Sequence, residues 1–327
     1  MRRREFLGAM GAAASAWPIA AASQTAPPRI GVLSAGAEGS PESKASFAEI
    51  SEGLRDGSLI EGRDYVLEWR FAAGAYGRFP ALATELARSN ARILLANTIA
   101  AARAAQGLSP PIPVVMMGIN DPVGNGLIGS LARPGGHTTG LATLAQDLSP
   151  KMLEYQQMIV PEAKVLGVIY NPANPSNPRI LESFITRART MGMTVRPVSL
   201  SLPEEINSTF ASLAATKPEV IHLLQDAANL DLGDRISAFA KDQRIPLFST
   251  FPPIVGFGCL LAYGPPRKKF LVRAGYYVKR ILGGADPADL PVEQPTQIEL
   301  WLNMRTAKTL GITISTALLA TADQVIE

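Results

Sequence analysis

Short apolar runs alternate along this chain with segments whose apolar positions recur every three or four residues. The first run, residues 29–34, reads as a strand that gives way to a small-residue loop at 35–40. Phe47, Ile50 and Leu54 then fall at helical spacing. Residues 65–71 predict a second strand and 79–87 a helix. A short buried strand at 92–96 leads into the alanine-rich helix 99–106. Another strand, 113–117, carries Gly118, Ile119, Asn120 and Asp121 at its tip. Such alternation predicts parallel strands joined by crossover helices.

A second series follows the break at Pro134-Gly135-Gly136. Helices are expected at 148–159, 179–191, 204–215 and 231–242. Strands are expected at 164–170, 194–198, 220–224 and 246–249. Beyond Thr250 come a strand at 260–263, a helix at 270–282, a proline-rich passage, a strand at 297–302 and short helices to the end. The doubled rhythm predicts an α/β protein of two doubly wound, Rossmann-like lobes joined by several chain crossings. Residues 29–143 and 253–294 are assigned to the first lobe, 144–252 and 295–327 to the second.

In open α/β sheets, ligands bind beyond the carboxyl ends of the strands. Here those ends are Ser34, then Asn97-Thr98, Asn120-Asp121, Tyr170-Asn171, Gln225-Asp226 and Ser249-Thr250. Each strand is almost wholly apolar until its last residues. Such residues also end strands and cap helices for purely structural reasons. Their repetition over six strand ends carries the reading as a site. Thr98 stands where it would cap a helix whose free N–H groups favour an anion. Asn97, Thr98, Asn120 and Asp121 would form one wall of a cleft, and Tyr170, Asn171, Asn174 and Gln225 the other. An ammonium would pair with Asp121 or Asp226. Tyr170 or Phe251 could stack on an aromatic ligand.

Charge and composition sharpen this. Arg2, Arg3 and Arg4 precede a short apolar run that ends in alanines, the pattern of a signal peptide over residues 1–22. The order Arg3-Arg4-Glu5-Phe6-Leu7 fits its twin-arginine variant. Pro18 interrupts the run, which is shorter than the ~20 residues that span a bilayer. No cysteine lies near the expected cleavage point to carry a lipid. The protein is therefore expected to be exported, soluble and periplasmic. The chain carries a net +3, and the leader's three arginines and one glutamate account for all but +1 of it. That leaves no electrostatic footprint for nucleic acid. Cys259 is the only cysteine, so no internal disulfide forms, and with two histidines, His137 and His222, a His/Cys metal site lacks ligands. Neither a metal nor a cofactor is expected.

Enzyme signatures fail. Gly124 to Gly129 spells G-x-G-x-x-G, but Pro134-Gly135-Gly136 ends any helix it could open. There is no Gly-Lys pair for a phosphate loop and no G-x-S-x-G.

Several segments carry a family resemblance. They are Asp121-Pro122-Val123, Ser130-Leu131-Ala132-Arg133-Pro134-Gly135-Gly136, Thr139-Gly140-Leu141 and Leu290-Pro291-Val292-Glu293-Gln294-Pro295-Thr296. The closing stretch, from Asn303 to Asp323-Gln324-Val325-Ile326-Glu327, adds to them. Together they resemble the solute-binding proteins of ABC importers, in the group that includes tryptophan- and tyrosine-binding members. The resemblance implies a type I periplasmic-binding-protein fold that closes on a small molecule by a hinge motion. It further implies a monomer that docks on an ABC permease in the inner membrane and has no catalytic role. Relatives often have Gly-Thr where this chain has Asn97-Thr98, and Asn at the place of His137. An exported ligand-sensing module for a membrane receptor, or an exported α/β enzyme, are the alternatives.

Overall fold

The computed structural model describes residues 26–327, so the expected leader lies outside the described residues. In chain order the first part runs β1 (Arg29–Ser34), α1 (Pro41–Asp56), β2 (Val66–Phe71), α2 (Phe79–Arg88), β3 (Ala91–Ala96), α3 (Ile99–Gln106), β4 (Val114–Asn120) and β5 (Thr138–Thr143). The second part runs α4 (Ala145–Ile159), β6 (Val165–Tyr170), α5 (Asn177–Thr190), β7 (Thr194–Ser199), α6 (Ile206–Ala215), β8 (Val220–Leu223), α7 (Gly233–Asp242), β9 (Leu247–Ser249) and β10 (Leu261–Gly264). The chain closes with α8 (Arg267–Leu282), β11 (Glu299–Asn303), α9 (Met304–Leu310), α10 (Thr316–Ala320) and β12 (Gln324–Ile326).

The first sheet is parallel throughout, in the order β2-β1-β3-β4-β5. Its middle strands are apolar on both faces, as a doubly covered parallel sheet requires. On β3, Ile93 and Leu95 pack toward α1 and α8, while Leu94 and Ala96 pack toward α2 and α3. The helices α1 and α8 press together at Gly53 and Gly275. A β-carbon at Gly53 would lie 2.0 Å from the carbonyl oxygen of Val272.

The second sheet has the order β12-β11-β10-β9-β8-β6-β7, and only β10 with β11 is antiparallel. One face carries α4 and α5 through Met152, Leu153, Ile180 and Phe184; the other carries α6 and α7 through Ile206, Leu213 and Ile236. His222 lies inside this sheet between the rings of Phe184 and Phe248. Burial pushes its pKa down to about 3. Cys259 is buried as well, its Sγ donating to the carbonyl of Leu247, and burial pushes the thiol up.

Between the sheets the chain passes three times, at 143–145, 264–267 and 293–299. The second passage corrects the expected boundary. Residues 253–264 stay with the second lobe, because β10 pairs with β9 and β11 before Pro265-Pro266 turns the chain back. The strand β5 was also not expected, since Thr138-Thr139-Gly140 looks like loop. Gly140 is required there: its φ is +124°, and a β-carbon would lie 2.4 Å from the carbonyl oxygen of Met116 on β4. At the chain's end, β12 pairs with β11 where only short helices were expected.

Candidate ligand-binding cleft

The carboxyl ends of the two sheets face each other across a cavity of about 980 Å³, its opening to solvent included. Eight of the twelve residues expected at the site line it: Ser34, Asn97, Thr98 and Asn120 from the first lobe, and Asn174, Gln225, Asp226 and Phe251 from the second. Thr98 caps α3 as expected, its hydroxyl accepting from the Ala101 N–H at 3.1 Å. Asn97 accepts the Ala35 N–H through Oδ1, which ties the ends of β1 and β3 together.

The remaining four do not reach the cavity. Asp121, at φ +42°, turns its carboxylate outward, where it accepts from the Gly124 N–H and lies 3.6 Å from Arg179. Tyr170 packs its ring onto the second lobe's core. Asn171 is fully buried and acts as scaffold. Its Oδ1 accepts from the Ala173 N–H and its Nδ2 donates to Asp226. Thr250 is held under β10: a β-carbon on Gly264 would lie 2.1 Å from its carbonyl oxygen. A strand's last residue faces the cleft only when no neighbouring strand covers it.

Asp226 is the best-connected polar group of the site. Its Oδ1 accepts from Asn171 Nδ2 at 3.2 Å and from the N–H groups of Ala228 and Asn229. Its Oδ2 accepts from Asn174 Nδ2 and from the Tyr76 hydroxyl, both at 2.8 Å. Tyr76 belongs to the first lobe, so this buried bond joins the two lobes. Burial, reinforced by the Asp226 charge, pushes the Tyr76 phenol well above its usual range. Two further bonds cross the cleft. Ala37 N–H donates to Asp231 Oδ2 at 2.6 Å, and Arg179 Nη1 donates to the Gly124 carbonyl at 3.0 Å.

Sequence reasoning missed a second polar group on the same cavity. Glu42, Ser46 and Glu49 lie on one face of α1, at spacings of four and three residues. Arg267, at the start of α8, meets them: its Nη1 donates to Ser46 Oγ at 2.9 Å, and its Nη2 lies 3.2 Å from Glu49 and 3.5 Å from Glu42. Burial pushes the Glu42 and Glu49 carboxyls above the ordinary range, with the Arg267 charge opposing it in both. Glu42, Arg267 and Asp231 all line the cavity, together with the apolar Met117, Phe270 and Leu271. The helical spacing of Glu42, Ser46 and Glu49 was the available signal.

Several buried polar atoms on the cavity wall have no hydrogen-bond partner: Glu42 Oε2, Thr143 Oγ1, Gln225 Oε1, Asp231 Oδ1 and Arg267 Nε. Buried polar atoms are ordinarily satisfied. Unsatisfied acceptors and donors facing one cavity from both lobes fit a polar solute that would complete them.

Comparison with known proteins places this geometry. The sequence pattern of a family described as ABC transporter substrate binding protein matches residues 40–326. A tyrosine-binding protein of Clostridioides difficile (strain R20291) is 26% identical over 260 residues, which span 79% of this chain and 74% of that protein. Among solved structures, an ABC domain from Streptococcus pneumonia in complex with L-Trp superposes with a TM-score of 0.82 at 24% identity, covering 92% of this chain and 100% of that one. The ligand-free, open structure of a substrate-binding protein with adhesive properties from Clostridium difficile gives 0.61 at 22% identity, with 91% and 99% covered. These neighbours share the type I periplasmic-binding-protein fold.

Proposed function

Because the chain belongs to the ABC transporter substrate-binding protein family, we propose that it is the periplasmic solute receptor of an ABC importer and that its solute is an amino acid with an aromatic side chain. One observation carries this reading: an interlobe cavity lined both by apolar side chains and by buried polar donors and acceptors that lack hydrogen-bond partners. The solute's carboxylate would lie against Asn97, Thr98 and the first N–H groups of α3, where the helix dipole favours negative charge. Its side chain would lie among Met117, Phe270 and Phe251. Closure then removes the solute from water, and the receptor delivers it to a membrane permease without altering any bond. Among the described residues no helix is long and apolar enough to cross a membrane.

The test is a thermal-shift and calorimetric screen of the purified protein against the standard amino acids and small carboxylates. At a hundredfold excess over Kd, a solute should stabilise the protein by about 2.7 kcal/mol. A screen in which no amino acid or carboxylate raises the melting temperature overturns the assignment.

A further inference from the structure

Two carboxylates suited by sequence to hold a ligand ammonium are disqualified by their surroundings. Asp121 faces solvent beside Arg179. Asp226 already accepts five hydrogen bonds from its own neighbours and from Tyr76, and its two oxygens are filled. Two other acids on the cavity wall stand differently. Glu42 comes from the first turn of α1 in the first lobe, and its Oε2 is buried without a hydrogen-bond partner. Asp231 comes from the second lobe. Its Oδ2 is taken by the Ala37 N–H of the first lobe, while its Oδ1 is buried and free.

The two acids are near enough for the Asp231 charge to raise the Glu42 carboxyl further. The only cation on the cavity wall, Arg267, lies nearer Glu49 than Glu42 and serves both. Three carboxylates and one guanidinium therefore line the cavity, which leaves it short of positive charge. Arg267 offsets Glu42 and Glu49 with a single charge, and burying several carboxylates with too little positive charge beside them is costly. Independently of these acids, the Thr143 hydroxyl, only 4% exposed, lines the same cavity unpartnered. The cavity is thus built to receive a polar occupant.

We propose that Glu42 and Asp231, one acid from each lobe, form the seat for the ligand's ammonium group. The proposal rests on the receptor reading above and deepens it. Asp231 reaches the seat only when the lobes are closed, since the bond that holds its other oxygen is to the opposite lobe. Closing therefore reads the amine: a ligand that lacks it leaves two like charges facing each other across the closed cleft. The carboxylate end of the ligand sets where it lies, and the ammonium end decides whether the lobes stay shut.

The experiment compares each standard amino acid with its des-amino acid, for instance L-tyrosine with 3-(4-hydroxyphenyl)propionate and L-tryptophan with indole-3-propionate. Binding is read by calorimetry in the wild type and in Glu42→Gln and Asp231→Asn. The wild type should prefer the amino acid by about 10- to 100-fold, the value of a hydrogen-bonded charge. Each amide variant keeps the shape of its side chain, and Asn at 231 can still accept from Ala37. In both variants the preference should collapse toward one, mostly through weaker binding of the amino acid. A merely structural role would weaken both ligands alike. Ligand-free melting temperatures show whether either variant is folded, and the wild-type comparison stands without them. Equal binding of amino acid and des-amino acid by the wild type overturns the seat and leaves the receptor reading intact. So does a preference that survives both substitutions. Binding of no member of either series overturns both.

Discussion

The two lobes repeat one plan and divide the work of the cleft unevenly. The first lobe offers a helix N-terminus capped by Thr98, a guanidinium at Arg267 and most of the apolar wall, all fixed by contacts within that lobe. The second offers carboxylates and amides, and its central acid, Asp226, is completed only when Tyr76 arrives from across the cleft. Their interiors differ in the same sense. The first sheet is parallel and aliphatic at its centre, whereas the second is mixed and buries a histidine among phenylalanine rings. One lobe is a finished surface before closure, and the other depends on its partner and on pH. In a binder of this kind, repetition of a fold supplies the frame, while asymmetry supplies recognition.

The widest separation between the lobes should appear in acid. His222 is neutral and buried, with its pKa held near 3 against an ordinary 6.5. The unfolded chain takes up a proton below pH 6.5 and the folded lobe does not, so stability is full above that value and falls as the pH drops toward 3. At 1.36 kcal/mol per unit this amounts to roughly 4–5 kcal/mol at the acid end. Hydrogen exchange as a function of pH should show the second lobe losing protection before the first. His222→Gln should flatten that difference, and two lobes that lose protection together would refute the contrast.

A smaller effect tests the bond between them. Tyr76→Phe removes a hydroxyl that meets Asp226 only across the cleft, and should weaken ligand binding by about 1–2 kcal/mol. Small-angle scattering should show a larger open fraction without ligand, while unfolding of either lobe stays unchanged. Smallest of the three, Thr98→Ala removes the α3 cap and should cost about 1 kcal/mol in chemical denaturation, confined to the first lobe. An equal loss in the second lobe would mean that the two unfold as one unit.

Much of this was legible in the sequence because parallel strands buried on both faces announce themselves as unbroken apolar runs, as β3 and β4 do. The polar residue that ends such a run faces the cleft, which is how Ser34, Asn97, Asn120 and Gln225 were found. Tyr170 and Thr250 obey the same pattern, yet packing and a covering strand turn them away, and one-dimensional periodicity carries no record of a neighbour contributed by another element. Glu42, Asp231 and Arg267 escaped for a related reason. They sit in the first turn of α1, in the turn that leads into α7 and at the start of α8, where charged residues are usually solvated. In the folded protein they line the cavity instead. The passage at Pro265-Pro266 was likewise hidden, because β10 gives no sign in its own residues of which sheet it will join.

Cys259 gives this protein a practical property. The chain's single thiol is buried, engaged with a carbonyl and held far from ionisation, so maleimide dyes should pass it by. A cysteine introduced by Val123→Cys would stand alone as a reactive handle, on an exposed loop beside Gly124, whose carbonyl receives Arg179 from the opposite lobe. A fluorophore placed there would feel that arginine arrive and leave. The protein needs no thiol removed before it can be turned into an optical reporter of its own solute.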